Sequence, residues 1–136
     1  MVTIVPTLRE GSVCLRALNL KDAEAVVQLG LDPVTQRWTS ISPDFTIEDA
    51  RHWITQRVPH DWASGAACTF AVERDGSFAG TISLSNLDKR TAEISYGLHP
   101  AFRGQQVGES ACRLVLKWGF ESLDLHTIKW LSPKGN

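Results

Sequence analysis

The stretch Ala101-Phe102-Arg103-Gly104-Gln105-Gln106-Val107-Gly108 is a glycine-containing loop that runs directly into a segment of helical periodicity. A helix N-terminus offers backbone N–H groups without intrahelical acceptors and the positive end of the macrodipole. An anion such as a pyrophosphate is therefore well received there. An ordinary strand-to-helix turn would use the same residues, so both readings stand on the loop alone. It is not a Walker A sequence, because Glu109-Ser110 follows Gly108 where Lys-Ser/Thr would be needed. The spacing of Gly104 and Gly108 is also wrong for a dinucleotide fingerprint. His99-Pro100, just upstream, either shapes the turn or relays a proton. Cys112 lies in an apolar helical run and reads as a packed thiol, not a nucleophile. His52, His60 and His126 have no mutual spacing suited to a metal, so no metal site is expected.

The elements that must position this loop follow from the period of the apolar residues. Val13 and Leu15 suggest a first strand within 12–18. Asn19-Leu20-Lys21-Asp22 looks like a helix entry, with Ala23, Val26, Val27 and Gly30 at helical spacing. Asp32-Pro33 opens a further helical turn ending near Trp38. Thr46 with Asp49 resembles a capping box for a helix reaching about Arg57, bracketed by Pro43 and Pro59. From Cys68 the period becomes two. Runs around Phe70 and Val72, around Ile82 and Leu84, and around Ile94, Tyr96 and Leu98 predict an antiparallel meander. It should have one packed and one polar face, with Asp75-Gly76 as its first turn and Asn86 to Arg90 as a polar link. A helix from Gly108 to Leu123 then carries Glu109, Arg113, Lys117 and Glu121 as its solvent stripe. Thr127 to Leu131 reads as one more strand. Tyr96 and Trp130 are expected in the core. Trp38, Trp53 and Trp62 read mainly as packing residues, one of them open to a pocket role.

Ala92-Glu93-Ile94-Ser95-Tyr96-Gly97-Leu98-His99-Pro100, then Arg103-Gly104, Glu109-Ser110-Ala111-Cys112 and Trp118-Gly119-Phe120, resemble motif A of the GNAT superfamily of acetyl-CoA-dependent N-acyltransferases. The nearest branch is RimJ/RimL, which acetylates protein N-termini and other amines. Leu123 to Ile128 resembles that branch's link into its fifth strand, Gly135-Asn136 the start of its Asn-x-x-Ser motif, and 12–25 its opening. The likeness is strong from Glu93 to Ile128 and weak from Asp32 to Ala67.

This resemblance implies an α/β (α+β) fold, with a mixed, mostly antiparallel sheet flanked by helices. It also implies direct acetyl transfer to an amine, with acetyl-CoA as co-substrate and no metal. Backbone N–H groups at Leu98 and His99 would hold the pantetheine and the thioester carbonyl. Those of Arg103, Gly104, Gln105, Gln106, Val107 and Gly108, with Glu109 beyond them, would take the pyrophosphate, and Asn136 would join the cofactor site. Glu93 occupies the position of a catalytic glutamate in several family members. It is either a base or water-positioner, or a solvent-facing strand residue.

Two positions depart from the family loop pattern Gln/Arg-x-x-Gly-x-Gly/Ala: Ala101 stands first and Gln106 last. A side chain at Gln106 would crowd the pyrophosphate, since the motif depends on close backbone approach. Family members also continue beyond the position of Asn136 with a helix and two strands bearing the Tyr or Ser that protonates the leaving thiolate. Residues 1–136 are therefore expected to be one domain, incomplete at its C-terminus. Catalytically weak acyl-CoA binding, or a fragment completing its sheet through a second copy as a homodimer, stays open as an alternative.

A formal net charge of -1 gives no field that would favour nucleic acid or an anionic membrane. Cys14, Cys68 and Cys112 are widely spaced and odd in number, which fits a reducing cytoplasm.

Overall fold

A computed structural model describes residues 5–32, 44–103 and 106–130. Its six strands lie in the order of the chain: β1 (Leu8–Glu10), β2 (Val13–Arg16), β3 (Ala67–Arg74), β4 (Ser77–Asp88), β5 (Thr91–Leu98) and β6 (Thr127–Trp130). Every neighbouring pair is antiparallel except β5 and β6. This is the mixed, mostly antiparallel sheet that the sequence implies. The β1–β2 hairpin, closed by Gly11 at φ +58°, is an addition to the expected elements.

Among the described residues, four helices flank the sheet. Asn19 accepts a hydrogen bond from the Lys21 N–H at 2.9 Å, and Asp22 accepts one from the Asn19 N–H at 2.9 Å, so a capping box opens the entry to α1 (Ala23–Leu31). The buried Asp22 carboxylate is in turn held by two bonds from the Arg16 guanidinium at 2.8 and 2.9 Å, and the same guanidinium pairs with Glu73. This network pins the start of α1 to β2 and β3. The Thr46–Asp49 capping box likewise opens α2 (Ile47–His52).

The helix does not stop at Pro59. A π turn over Trp53–Arg57 carries it into α3 (Val58–Ser64), which ends at Gly65 in the left-handed conformation. Pro59 stands at the start of α3, directly after the π turn, inside a helix that continues through it. The expected turn from Pro33 to Trp38 lies outside the described residues.

The apolar face of the meander (Phe70, Ile82, Leu84 and Ile94) packs under α4 (Val107–Ser122) through Val107, Ala111 and Val115. Trp62 from α3 closes this core. It meets Phe70 edge-on at 5.1 Å between ring centres and leans on Trp118 at 5.6 Å, while its indole N–H donates to the Thr69 carbonyl at 3.0 Å. A smaller core of Ala23, Val26, Ala50 and Ile54 joins α1 to α2 and the π turn over the opposite face of the sheet. The polar face of the meander is therefore roofed by helices and not simply solvated. Among the described residues, no helix is long and apolar enough to cross a membrane.

Candidate active site

Between β5 and α4 the chain makes one short 3-10 turn, Pro100–Phe102, and then reverses into the helix. His99 caps that turn, its Nδ1 accepting from the Ala101 N–H at 3.3 Å. The Arg103 N–H donates to the Pro100 carbonyl at 3.3 Å. The Arg103 guanidinium reaches back to the end of α1, where it meets the Asp32 carboxylate at 2.7 Å. Gln106 precedes the helix at φ +62° and ψ 11°, a left-handed conformation that favours glycine, and its side chain makes no cap hydrogen bond. The Ser110 N–H donates to the Gln106 carbonyl at 3.1 Å, so the amides of Val107, Gly108 and Glu109 form the helix turn that lacks intrahelical acceptors.

Gly108 matters for a second reason. A Cβ built there would lie 2.9 Å from Cε2 of Tyr96, whose ring covers the first turn of α4. Tyr96 is 46% exposed and lines a cleft, so it does not fill the core as the strict alternation of β5 implied. Burial raises its phenol pKa, and neighbouring Cys112 adds to the rise.

That cleft, of about 340 Å³, lies between the sheet and the helical half. Val26, Leu29, Phe45 and Trp53 form its apolar walls, and Thr69, Thr81, Ser83, Ser95 and Gly97 its floor. Thr69, Ser83 and Ser95 stand directly opposite one another across β3, β4 and β5. A shallower groove of about 490 Å³ between Leu20–Gln28 and Ile47–Arg51 takes no residue from the sheet and lies away from β5 and α4.

The structure brings some of the expected site residues together and separates others. Glu93 is half-buried on the same side of β5 as Ser95, opposite Ser85 on β4 and Lys129 on β6, and it does not line the cleft. The His99 N–H donates to the Ala79 carbonyl at 2.8 Å and is therefore engaged with β4. Strand alternation then turns the Leu98 N–H to the opposite edge of β5, beyond the last described pair with β6, Ile94–Trp130. The approach of β4 to β5 at this point depends on Gly80, since a Cβ there would sit 2.1 Å from the Gly97 carbonyl oxygen. Val107, Gly108 and Glu109 form the first turn of α4, which starts one residue before the expected Gly108, whereas Gly104, Gln105 and Asn136 lie outside the described residues. Trp53, one of the three tryptophans left open to a pocket role, lines the cleft, whereas the hydroxyl row was not singled out from the sequence. Thr69, Ser83 and Ser95 carried a signal only as the polar half of the alternation.

Comparisons with known proteins follow the same lines. A family model for an acetyltransferase (GNAT) domain matches residues 12–136. The chain is 30% identical over 132 residues to a Bacillus subtilis (strain 168) protein provisionally named ribosomal N-acetyltransferase YdaF, covering 91% of this chain and 70% of that one. A crystal structure provisionally described as an acetyltransferase superimposes with a TM-score of 0.83 at 29% identity, covering 96% of this chain and 76% of its own. The fold also matches RimL, a ribosomal L7/L12 alpha-N-protein acetyltransferase solved in complex with coenzyme A, with a TM-score of 0.78 at 19% identity. That match covers 90% of this chain and 73% of RimL.

Proposed function

The chain belongs to the GNAT acetyltransferase family, and on that premise we propose that it transfers the acetyl group of acetyl-CoA directly to a primary amine. The amine belongs to a protein N-terminus or a small molecule and sits in the cleft above Ser95 and Gly97. One observation carries this reading: β5 lines the cleft at Ser95 and Gly97 and, through Tyr96 between them, lays a ring against Gly108 in the uncapped first turn of α4. The residues fit the coenzyme. Its pyrophosphate matches the positive helix terminus and the amides of Val107, Gly108 and Glu109, with Gly104 and Gln105 assigned to the same task. Asn136 stays assigned to the coenzyme by family resemblance alone.

Acetyl-CoA supplies an acyl group already activated as a thioester, and the chain's residues do the rest. We assign the Leu98 N–H, directed away from β4, to the thioester carbonyl, where it would stabilise negative charge as it develops. His99 and Arg103 act on the loop. One is tied to Ala79 and Ala101, the other to Pro100 and Asp32, and together they hold the approach to the helix end in place. Glu93 is the base we assign to the amine proton. It stands two residues from Ser95 along β5, roughly 7 Å away, so the proton would pass through a water.

Acetyl transfer from acetyl-CoA to a panel of amines, with coenzyme binding followed separately, tests this reading. Glu93→Gln should lower turnover by roughly a hundredfold or more while leaving coenzyme affinity in place. Unchanged turnover would remove Glu93 from the mechanism. Gln106 favours a second reading, in which the chain binds acyl-CoA with little turnover; coenzyme binding without transfer to any amine would establish it.

A further inference from the structure

The cleft floor contains a hydrogen-bonded pair that the acetyl-transfer chemistry above does not use. Thr69 is 8% exposed, and its hydroxyl donates to the Ser83 Oγ at 3.1 Å across β3 and β4. A hydroxyl carries a single hydrogen, so a Ser83 oxygen that accepts from Thr69 still has its own hydrogen to give. Accepting that bond also polarises Ser83 and makes it a better donor. Thr69 is β-branched and stiff at χ1, and its neighbours on β3 are buried, so the position of its hydroxyl oxygen beside Ser83 is held. Ser83 lines the cleft one strand from Ser95, a spacing of about 4.8 Å. An amine above Ser95 therefore has Ser83 within reach of an oxygen two or three bonds from its nitrogen.

We propose that Thr69 is a positioning residue. Its hydroxyl sets Ser83 as a donor into the cleft, and Ser83 recognises a carbonyl or hydroxyl oxygen carried next to the reacting amine. Favoured acceptors are thus amines with such an oxygen, in preference to plain alkyl amines. This inference rests on the acetyl-transfer reading of the same cleft. Among the walls Val26, Leu29, Phe45 and Trp53 the one polar side-chain group is the Trp53 indole N–H, which donates only and gives the Ser83 hydroxyl no acceptor. A plain alkyl amine would bury the Ser83 donor without a partner, and that loss is what produces discrimination.

The test compares alanine N-methylamide with sec-butylamine as acceptors for the wild-type protein, Thr69→Val, Thr69→Ser and Ser83→Ala. Each acceptor is compared with itself across the variants, so the different basicities of the two amines cancel. Thr69→Val and Ser83→Ala should each reduce the wild-type preference for the amide, as a ratio of kcat/KM, by about tenfold. The change should appear in the amide's KM. Thr69→Ser, which returns the hydroxyl, should restore the preference, and the KM for acetyl-CoA should not follow the series. Equal losses for both acceptors, or no restoration by Thr69→Ser, would overturn the proposal. If the wild-type protein transfers acetyl to no amine, the functional reading fails. Calorimetric binding of alanine N-methylamide then decides the pair: about tenfold weaker binding by Thr69→Val upholds it, and equal binding by wild type and variant overturns it.

Discussion

Gln106→Gly is the perturbation for which the structure states both a cost and a consequence. The backbone at Gln106 sits at φ +62° and ψ 11°, immediately before the first turn of α4. An L-residue with a Cβ pays about 1–2 kcal/mol to occupy the left-handed region, whereas glycine occupies it freely. Glycine also gives the unfolded chain more freedom, which takes back about 0.5–1 kcal/mol. The net gain should be roughly 0.5–1 kcal/mol, or a rise in Tm of about 2–4 °C for a domain of this size. Thermal unfolding must be followed without coenzyme, because a bound ligand raises Tm by itself. Gln106→Ala is the control. It shortens the side chain but keeps the Cβ and so should give no such rise. In calorimetric titrations, Gln106→Gly should also bind coenzyme A more tightly than wild type, since a phosphate can approach the helix amides more closely without the side chain. An unchanged or lower Tm for the glycine variant, or an alanine variant that stabilises equally, would refute the strain argument. Weaker coenzyme binding by the glycine variant would refute the proposed crowding.

Three further outcomes are expected. Gly80→Ala would set a Cβ 2.1 Å from the Gly97 backbone oxygen, a contact only backbone movement can relieve, so it should cost about 3 kcal/mol or more in chemical unfolding. Asp32→Asn removes the charge that faces Arg103 at 2.7 Å. With the guanidinium partly exposed, stability should change by less than about 1 kcal/mol, while coenzyme affinity falls because the loop before α4 loses its tie to α1. Burial pushes the thiols of Cys68 and Cys112 up to about 11 from an ordinary 9.0. The folded state therefore binds their protons more tightly than the unfolded state. Their contribution to stability is complete below pH 9 and declines as pH rises toward 11, which pH-dependent denaturation should show as a falling midpoint.

Much of the fold is legible in the sequence because the meander and α4 keep their periods over eight residues or more. The stripe of Glu109, Arg113, Lys117 and Glu121 is exposed along α4, and the capping boxes at Asn19 and Thr46 form as their residue types require. The three residues of β1 are too short for any period to register. Lys89 and Arg90 make the β4–β5 turn at positive φ without the Asn-Gly or Asp-Gly signal, so β4 runs on to Asp88 where a polar link was expected. Pro59 read as a helix end because sequence alone does not reveal a π turn that resets the hydrogen bonding ahead of it.

At the site, the helix end was legible from the loop and the change of period. The pairing of Arg103 with Asp32 joins residues far apart in sequence and leaves no local trace. Tyr96 shares the face of Ala92 and Ile94, but it meets α4 at its first turn, where Gly108 leaves room for the ring and the helix ends, so the ring stays half-exposed. The hydroxyl row was read only as part of a polar face, because alternation says which residues point together but not what covers them.

Calorimetric titration of the purified chain with coenzyme A, and in parallel with pantetheine, tests the central claim most directly, because the two ligands share the arm and differ in the pyrophosphate. The account predicts micromolar binding of coenzyme A, much weaker binding of pantetheine, and loss of that difference at high salt as the charge on the pyrophosphate is screened. Equal affinity for the two ligands, or no binding by a demonstrably folded chain, would contradict the assignment of the helix end at Val107, Gly108 and Glu109 as the coenzyme site.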